Sequence, residues 1–174
     1  RCNEILKKLT LNPSTDDDFI DKNLSIGIYV NEIIKSFEEI SDKKFILNLE
    51  QDTNPFAIKN SVELVYGIRN FIGNANKFAN EKIYISIISD SKFSEIIIED
   101  DGRGFPKDIL NRIGEPYLKT VNKNLSSKSG LGLGIFIGKT LLEKNFAVLD
   151  LRNSLTRSGA EVKIKWKNKD LIKI

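Results

Sequence analysis

The chain has 174 residues, with 27 Lys plus Arg against 24 Asp plus Glu and a single cysteine. One domain is the expectation at this length, and 40% apolar residues suffice for a core that buries roughly 70% of the unfolded surface. A net charge of +3, dispersed along the chain, is too small to argue for a nucleic-acid partner. One cysteine excludes an internal disulfide framework and fits a reducing compartment. No apolar run approaches the roughly 18 residues of a membrane span, and no signal peptide is visible. The chain opens on Arg1 and contains no methionine, so it reads as a fragment of a longer protein whose other parts are free to include membrane segments.

In chain order, residues 1–11 read as the end of a helix, with Ile5, Leu6 and Leu9 as its stripe and Pro13 as its stop. Ser14 to Asp18 reads as a linker or turn. A helix is predicted over about 29–40, burying Val30, Ile33, Ile34 and Phe37, and a strand over 44–49 from the alternation of Phe45, Leu47 and Leu49. The clearest helix is 60–79, with Leu64, Val65, Ile68, Phe71, Ile72, Ala75, Phe78 and Ala79 on one face and Asn60 with Glu63 as a capping pair.

Residues 82–89 and 93–100 are isoleucine-rich strands joined at Asp90-Ser91-Lys92, a hairpin signal. Periodicity is then lost over 105–130, apart from a short helix at 106–112; so long an aperiodic stretch in a compact domain is usually functional or disordered. A helix at about 132–144 is expected to bury Leu133, Phe136, Ile137, Thr140 and Leu141. Strands at 146–152 and 160–166 follow, the last with Ala160, Val162, Ile164 and Trp166 inward and Glu161, Lys163 and Lys165 outward. These elements predict an α/β (α+β) two-layer sandwich: a mixed sheet of about five strands with three main helices on one face.

Four polar constellations lie on these elements. At about 100° per residue, Asn70, Asn74 and Lys77 fall within an arc of roughly 60° opposite the apolar stripe of the 60–79 helix, and Glu63 shares that arc. Two carboxamides and an ammonium suit a hard cation and phosphate oxygens; a solvated helix face accounts for them equally well. Asp100 shares a strand face with Ile96 and Ile98. It is therefore placed either to accept a hydrogen bond from a base amino group at the rim of an apolar pocket, with Gly102 and Gly104 letting the backbone approach, or to begin an ordinary Asp-Gly turn. Gly114-Glu-Pro-Tyr117 lies in the aperiodic stretch. Gly130-Leu131-Gly132-Leu133-Gly134 opens a helix, where free N–H groups and the helix dipole suit phosphates; a glycine N-cap on a flexible loop is the alternative. Lys119, Lys123 and Lys128 are within reach of phosphates or are simply solvated.

In their order and their elements, these motifs resemble the N, G1, F and G2 boxes of the GHKL ATPases, the superfamily of gyrase B, Hsp90, histidine kinases and MutL. Within it the chain resembles the sensor histidine kinases over about 24–170. The resemblance implies the Bergerat fold and an ATP site with Mg²⁺. Asn74 would ligate Mg²⁺, with Asn70 and Lys77 at the phosphates. Asp100 would read adenine, with Gly102, Gly104 and Phe105 shaping the pocket. Tyr117, Lys119 and Thr120 would lie in a lid over 105–130, and Gly130, Leu131, Gly132, Leu133 and Gly134 would cradle phosphates.

One departure decides between branches. Hydrolysing members place a glutamate one turn before the Mg²⁺ asparagine, and here that position is Asn70, which cannot act as a base. The resemblance therefore implies a protein-histidine kinase that transfers the γ-phosphoryl; a hydrolysing GHKL ATPase and a nucleotide-gated pseudokinase module are the alternatives. Gly114–Thr120 and Gly132–Glu143 are similar to Reg/Prr-type redox-responsive kinases of proteobacteria, and Arg1-Cys2-Asn3-Glu4-Ile5-Leu6 to the end of their second dimerisation helix. That implies residues 1–12 as the end of the dimerisation and phosphotransfer helix, 13–23 as a linker, and a redox role for Cys2, which otherwise is an inert thiol. The chain has no histidine, so the acceptor would lie on an upstream dimerisation domain. Further implied are a downstream response regulator, a cytoplasmic catalytic domain of an inner-membrane, homodimeric parent, no nucleic-acid partner, and a fragment that is itself monomeric.

Overall fold

A computed structural model describes residues 24–51, 57–58, 61–116 and 133–171. The expected helix at 1–11, the linker, Cys2, Asn60, Tyr117, Lys119, Thr120, Lys123, Lys128, Gly130, Leu131 and Gly132 lie outside the described residues. Seven strands are described: β1 (Leu24–Ser25), β2 (Lys44–Gln51), β3 (Ala57–Ile58), β4 (Lys82–Ser89), β5 (Phe93–Asp100), β6 (Val148–Asn153) and β7 (Ala160–Lys167). The helices are α1 (Ile26–Glu38), α2 (Val62–Phe78), α3 (Leu133–Lys144) and the single turn α4 (Asn168–Leu171), with a 3-10 turn at Leu110–Arg112.

Five strands form one mixed sheet in the order β2-β4-β5-β7-β6, in which only β2 and β4 run parallel. Because β2 reaches its parallel neighbour β4 through α2, the helix crosses the sheet face; the remaining strands pair as antiparallel neighbours. A separate antiparallel pair, β1 with β3, was not expected from the sequence.

The core is isoleucine-rich because β4 and β5 alternate strictly. Ile83, Ile85 and Ile87 share the inner face with Ile96 and Ile98 and with Val162, Ile164 and Trp166 of β7. Against them pack Val30, Ile33 and Ile34 of α1 and Leu64, Ile68, Phe71, Ile72 and Ala75 of α2. Five-strand two-layer architecture was thus readable from period-two and period-3.6 patterns.

Four local expectations need correction. The N-cap of α2 is Ser61, whose hydroxyl accepts the Leu64 N–H at 3.4 Å. Glu63, expected on the site's arc, instead accepts from Asn145 Nδ2 at 2.8 Å, at the far end of α2. Phe78, counted in the buried stripe, is 41% exposed.

The fourth correction concerns α3. It does not bury Leu133, Phe136, Ile137, Thr140 and Leu141; its buried residues are Gly138 and Leu142, and Ile137 is 42% exposed. The cause is close packing on α2. A Cβ on Gly67 would lie 2.6 Å from Leu142 Cγ, and one on Gly138 would lie 3.0 Å from Asn70 Cβ. Glycines admit this approach and carry no hydropathy signal, so the apolar pattern pointed to the wrong face. Glu161 faces the outer side of the sheet as expected, and Arg152 covers it there through an ion pair of 2.6 Å.

Candidate functional site

Two motifs are held in fixed relation by the turn from α2 into β4. Asp101, one residue past β5, accepts backbone N–H groups of Asn80 at 2.8 Å, Glu81 at 3.1 Å and Lys82 at 3.0 Å. Asn80 Nδ2 returns a bond to the Asp101 carbonyl at 2.6 Å. Gly102 lies against the Phe78 carbonyl so closely that no Cβ fits there. The end of α2, which carries Asn70, Asn74 and Lys77, is therefore locked to the loop that follows Asp100. Burial raises the Asp101 pKa, but the donors from Glu81, Lys82 and Asn80 outweigh it and hold the carboxyl below its ordinary value.

Asp100 ends β5 and is 4% exposed. Its Oδ1 accepts the Gly102 N–H at 2.8 Å, and the Ala160 N–H also donates to the carboxylate. Burial pushes its pKa up, against the pull of those two amides; the charges of Asp101 and Glu99 push it further in the same direction. Gly104, with φ +71°, takes the left-handed conformation that glycine tolerates. Phe105 is half-buried against the core.

At the other end of the site, the first turn of α3 stands against the asparagines of α2. A Cβ on Gly134 would lie 3.6 Å from Asn70 Oδ1 and 3.6 Å from Asn74 Nδ2. Asn70 Nδ2 donates to the Tyr66 carbonyl at 2.8 Å. Asn74 Nδ2 is buried without a hydrogen-bond partner, alone in this respect among the described side chains. A buried amide left without a partner costs about 1–3 kcal/mol, and a bound acceptor would satisfy it. Lys77 is exposed, its ammonium 5.4 Å from the Phe78 ring centroid. Among the described residues no group of three or more His, Cys, Asp or Glu side chains is placed to hold a metal, so a cation here would need oxygens from its ligand.

The structure thus brings Asn70, Asn74, Leu133 and Gly134 together at one end, and Asp100, Gly102, Gly104 and Phe105 together at the other. Sequence reading missed Asn153, which bonds the Phe105 backbone, and Gly159, which lies directly beneath Asp100 with no room for a Cβ. A Ser-Gly pair between two strands signals only a hairpin, and an asparagine at a strand end signals nothing specific.

Comparison with known proteins places this geometry. The family described as "Histidine kinase-, DNA gyrase B-, and HSP90-like ATPase" matches residues 59–170. Sensor histidine kinase RegB of Cereibacter sphaeroides is 35% identical over 119 residues, 60% of this chain and 26% of RegB. Sporulation kinase A of Bacillus subtilis is 33% identical over 85 residues, 49% of this chain and 13% of that protein. The chain therefore spans about a quarter or less of the length of these relatives.

Among solved structures, the mycobacterial sensor histidine kinase MprB superposes with a TM-score of 0.67 at 17% identity, covering 83% of this chain and 95% of that one. The catalytic domain of histidine kinase ThkA gives 0.68 at 16%, covering 83% and 95%. These likenesses establish the fold. With the family match spanning both the asparagine helix and the Asp100 loop, the chain belongs to the histidine kinase-, DNA gyrase B- and HSP90-like ATPase family.

Proposed function

We propose that this chain is the catalytic and ATP-binding domain of a sensor histidine kinase, passing the γ-phosphoryl of Mg-ATP to a histidine on a dimerisation domain upstream in the parent protein. The observation that carries this reading is the approach of Gly134 to Asn70 and Asn74, with the buried Asn74 amide left open for a ligand. The orphaned Nδ2 donor fits a phosphate oxygen, and the Oδ1 of the same carboxamide is the atom that would face Mg²⁺.

Asn74 is the residue that would hold Mg²⁺, which when bound neutralises phosphate charge. Asn70 and Lys77 bind phosphate oxygens. The first turn of α3, from Leu133 and Gly134, offers N–H groups and the positive end of its dipole to the same anion; Gly130, Leu131 and Gly132 extend that cradle. Asp100 accepts from the adenine N6 amino group through its carboxylate. Gly102 and Gly104 let the backbone pass close to the base, Phe105 supplies apolar surface, and residues 105–130, with Tyr117, Lys119 and Thr120, close over the nucleotide. Asn70 offers no general base, and Glu63, in the first turn of α2, accepts from Asn145 instead. The residues favour positioning for phosphoryl transfer over activation of water.

The chain has no histidine, so its acceptor is supplied from elsewhere. Residues 1–12 as the end of a dimerisation helix, 13–23 as a linker and 24–170 as the catalytic unit accord with that arrangement. The names of the relatives support a response regulator downstream. The same proposal includes a homodimeric parent anchored in the inner membrane with this domain on the cytoplasmic side, and a fragment that is itself monomeric. A redox role for Cys2 rests on the RegB likeness alone and is tested by oxidative cross-linking of a longer chain, which Cys2→Ala should abolish.

The decisive experiment has two stages. Binding of a fluorescent ATP analogue is measured with and without Mg²⁺ for the chain and for Asp100→Asn, where loss of a charge-assisted hydrogen bond is expected to weaken binding about tenfold or more. Radiolabelled γ-phosphoryl transfer to the parent's separately produced dimerisation domain is then assayed. Transfer supports the kinase. Tight binding without transfer would make this a nucleotide-gated binding module. Steady ATP turnover abolished by Asn70→Ala would make it a hydrolysing ATPase.

A further inference from the structure

Asn153, the last residue of β6, grips the backbone of the loop that follows Asp100. The Phe105 N–H donates to Asn153 Oδ1 at 2.6 Å, and Asn153 Nδ2 donates to the Phe105 carbonyl at 3.1 Å. One carboxamide thus satisfies both backbone groups of a residue outside any strand, as a neighbouring β-strand would. The contact is close: a Cβ on Gly104 would lie 2.5 Å from Asn153 Oδ1.

The turn that follows Asn153 is itself anchored. Ser154 N–H donates to the Gly159 carbonyl at 2.9 Å, and the Ser154 hydroxyl donates to Glu99 at 2.7 Å. Arg157 lies 3.4 Å from the Tyr84 ring centroid while pairing with Glu99. At its far end the turn slides Gly159 beneath Asp100, and Ala160 donates to the Asp100 carboxylate. The loop 100–105 is therefore held at both ends by a single hairpin, at Asp100 by Gly159 and Ala160 and at Phe105 by Asn153.

We propose that Asn153 is a positioning residue for base recognition, fixing the backbone of Gly104 and Phe105 so that the adenine side of the site keeps its shape and the protein distinguishes adenine from guanine nucleotides. The inference rests on Asp100 as the adenine reader. Guanine presents a carbonyl oxygen where adenine presents its amino group, so a carboxylate rejects it only while base and carboxylate are held in register. If the 102–105 backbone is released, the base shifts and that discrimination falls, while the phosphate end, built on α2 and α3, is untouched.

The test compares the 174-residue chain with Asn153→Ala and Asn153→Asp, titrated by calorimetry with Mg-ATP, Mg-GTP and Mg-tripolyphosphate. Asn153→Ala is expected to bind ATP about tenfold more weakly, to lose ATP-over-GTP preference by a similar factor, and to bind tripolyphosphate within about twofold of the parent chain. Asn153→Asp keeps the acceptor for the Phe105 N–H but loses the donor, and should fall between. Hydrogen exchange at the Phe105 amide should quicken in Asn153→Ala with exchange in β4 and β5 unchanged, which separates a local release from general loosening.

Unchanged nucleotide preference in a folded Asn153→Ala, or equal weakening for ATP and tripolyphosphate, overturns the proposal while leaving the nucleotide site intact. An unmodified chain that does not bind ATP, or binds it indifferently to Asp100→Asn, overturns the underlying site assignment and this inference with it.

Discussion

Asp100 and Asp101 are adjacent carboxylates with opposite perturbations, and the difference lies in how many donors each receives relative to its burial. Asp101 faces three N–H groups and is held below its ordinary pKa; Asp100 is buried deeply enough that two donors do not compensate. A depressed carboxyl pKa contributes stability above its unfolded value and loses it as pH falls through the folded value. Asp101 should therefore stabilise the fold at neutral pH, and Asp101→Ala should cost about 1.5–3 kcal/mol in urea unfolding, since it strips charge-assisted bonds from three amides.

Asp100 has the opposite sign: folding favours its neutral form, so its carboxylate costs stability as pH rises through the folded value. Adenosine binding should weaken as pH falls, with an acid limb centred above the ordinary carboxylate pKa and absent in Asp100→Asn. An unshifted limb, or the same limb in the variant, counts against Asp100 as the adenine acceptor. Asp100 was legible in the sequence by its place on the isoleucine face of β5. Asp101 was not, because its partners are backbone groups of a turn some twenty residues earlier.

At the scale of elements, the junction of α2 and α3 sets the geometry around Asn70, Asn74 and Gly134. Gly67 and Gly138 allow the two helices to approach until Leu142 fills the space a Cβ would need. Gly67→Ala should lower stability by about 1–2 kcal/mol despite its better helix propensity, because Leu142 is fully buried and cannot move aside. Gly73, in the same helix, meets only the Phe37 ring at 3.4 Å, so Gly73→Ala should raise stability by about 0.4–1 kcal/mol. Chemical denaturation of the pair reads the contrast, and equal effects would mean the helices do not meet where the structure puts them.

The end of α3 follows a Schellman pattern. Phe146 N–H bonds the Glu143 carbonyl, Ala147 N–H bonds the Leu142 carbonyl, and Phe146 takes φ +63° where glycine is usual. Hydropathy placed this helix within a residue of its true bounds but misassigned its buried face. An α-helix that packs through glycine hides its contact surface from any apolar count, and its larger side chains then mark the side that is only partly covered.

At the scale of the molecule, β4 and β5 lie at the centre of the sheet and connect the two ends of the site. β5 carries Asp100 at its end, and α2 carries Asn70 and Asn74. No helix among the described residues is long and apolar enough to cross a membrane. Without a carboxylate at position 70, ATP hydrolysis by the isolated chain should stay near background. Asn70→Glu is expected to raise it if the position faces the γ-phosphate as proposed; a phosphate-release assay that shows no change would place the terminal phosphate elsewhere.

What the sequence by itself determined is the set of elements and the chemistry they carry. Alternation of isoleucines marked β4 and β5, helical spacing marked α1 and α2, and the order of the asparagine and glycine motifs marked a nucleotide site, because these signals are local in the chain. What only the tertiary structure decided is non-local. It includes the parallel pairing of β2 with β4, the glycine contact of α3 on α2, the capture of Asp101 by the α2–β4 turn, and the grip of Asn153 on Phe105 across 48 residues of chain. Each of these depends on a close approach or a backbone hydrogen bond between distant segments. Such contacts are made by groups that every residue possesses, or by the absence of a side chain, and so they leave no pattern in composition or period.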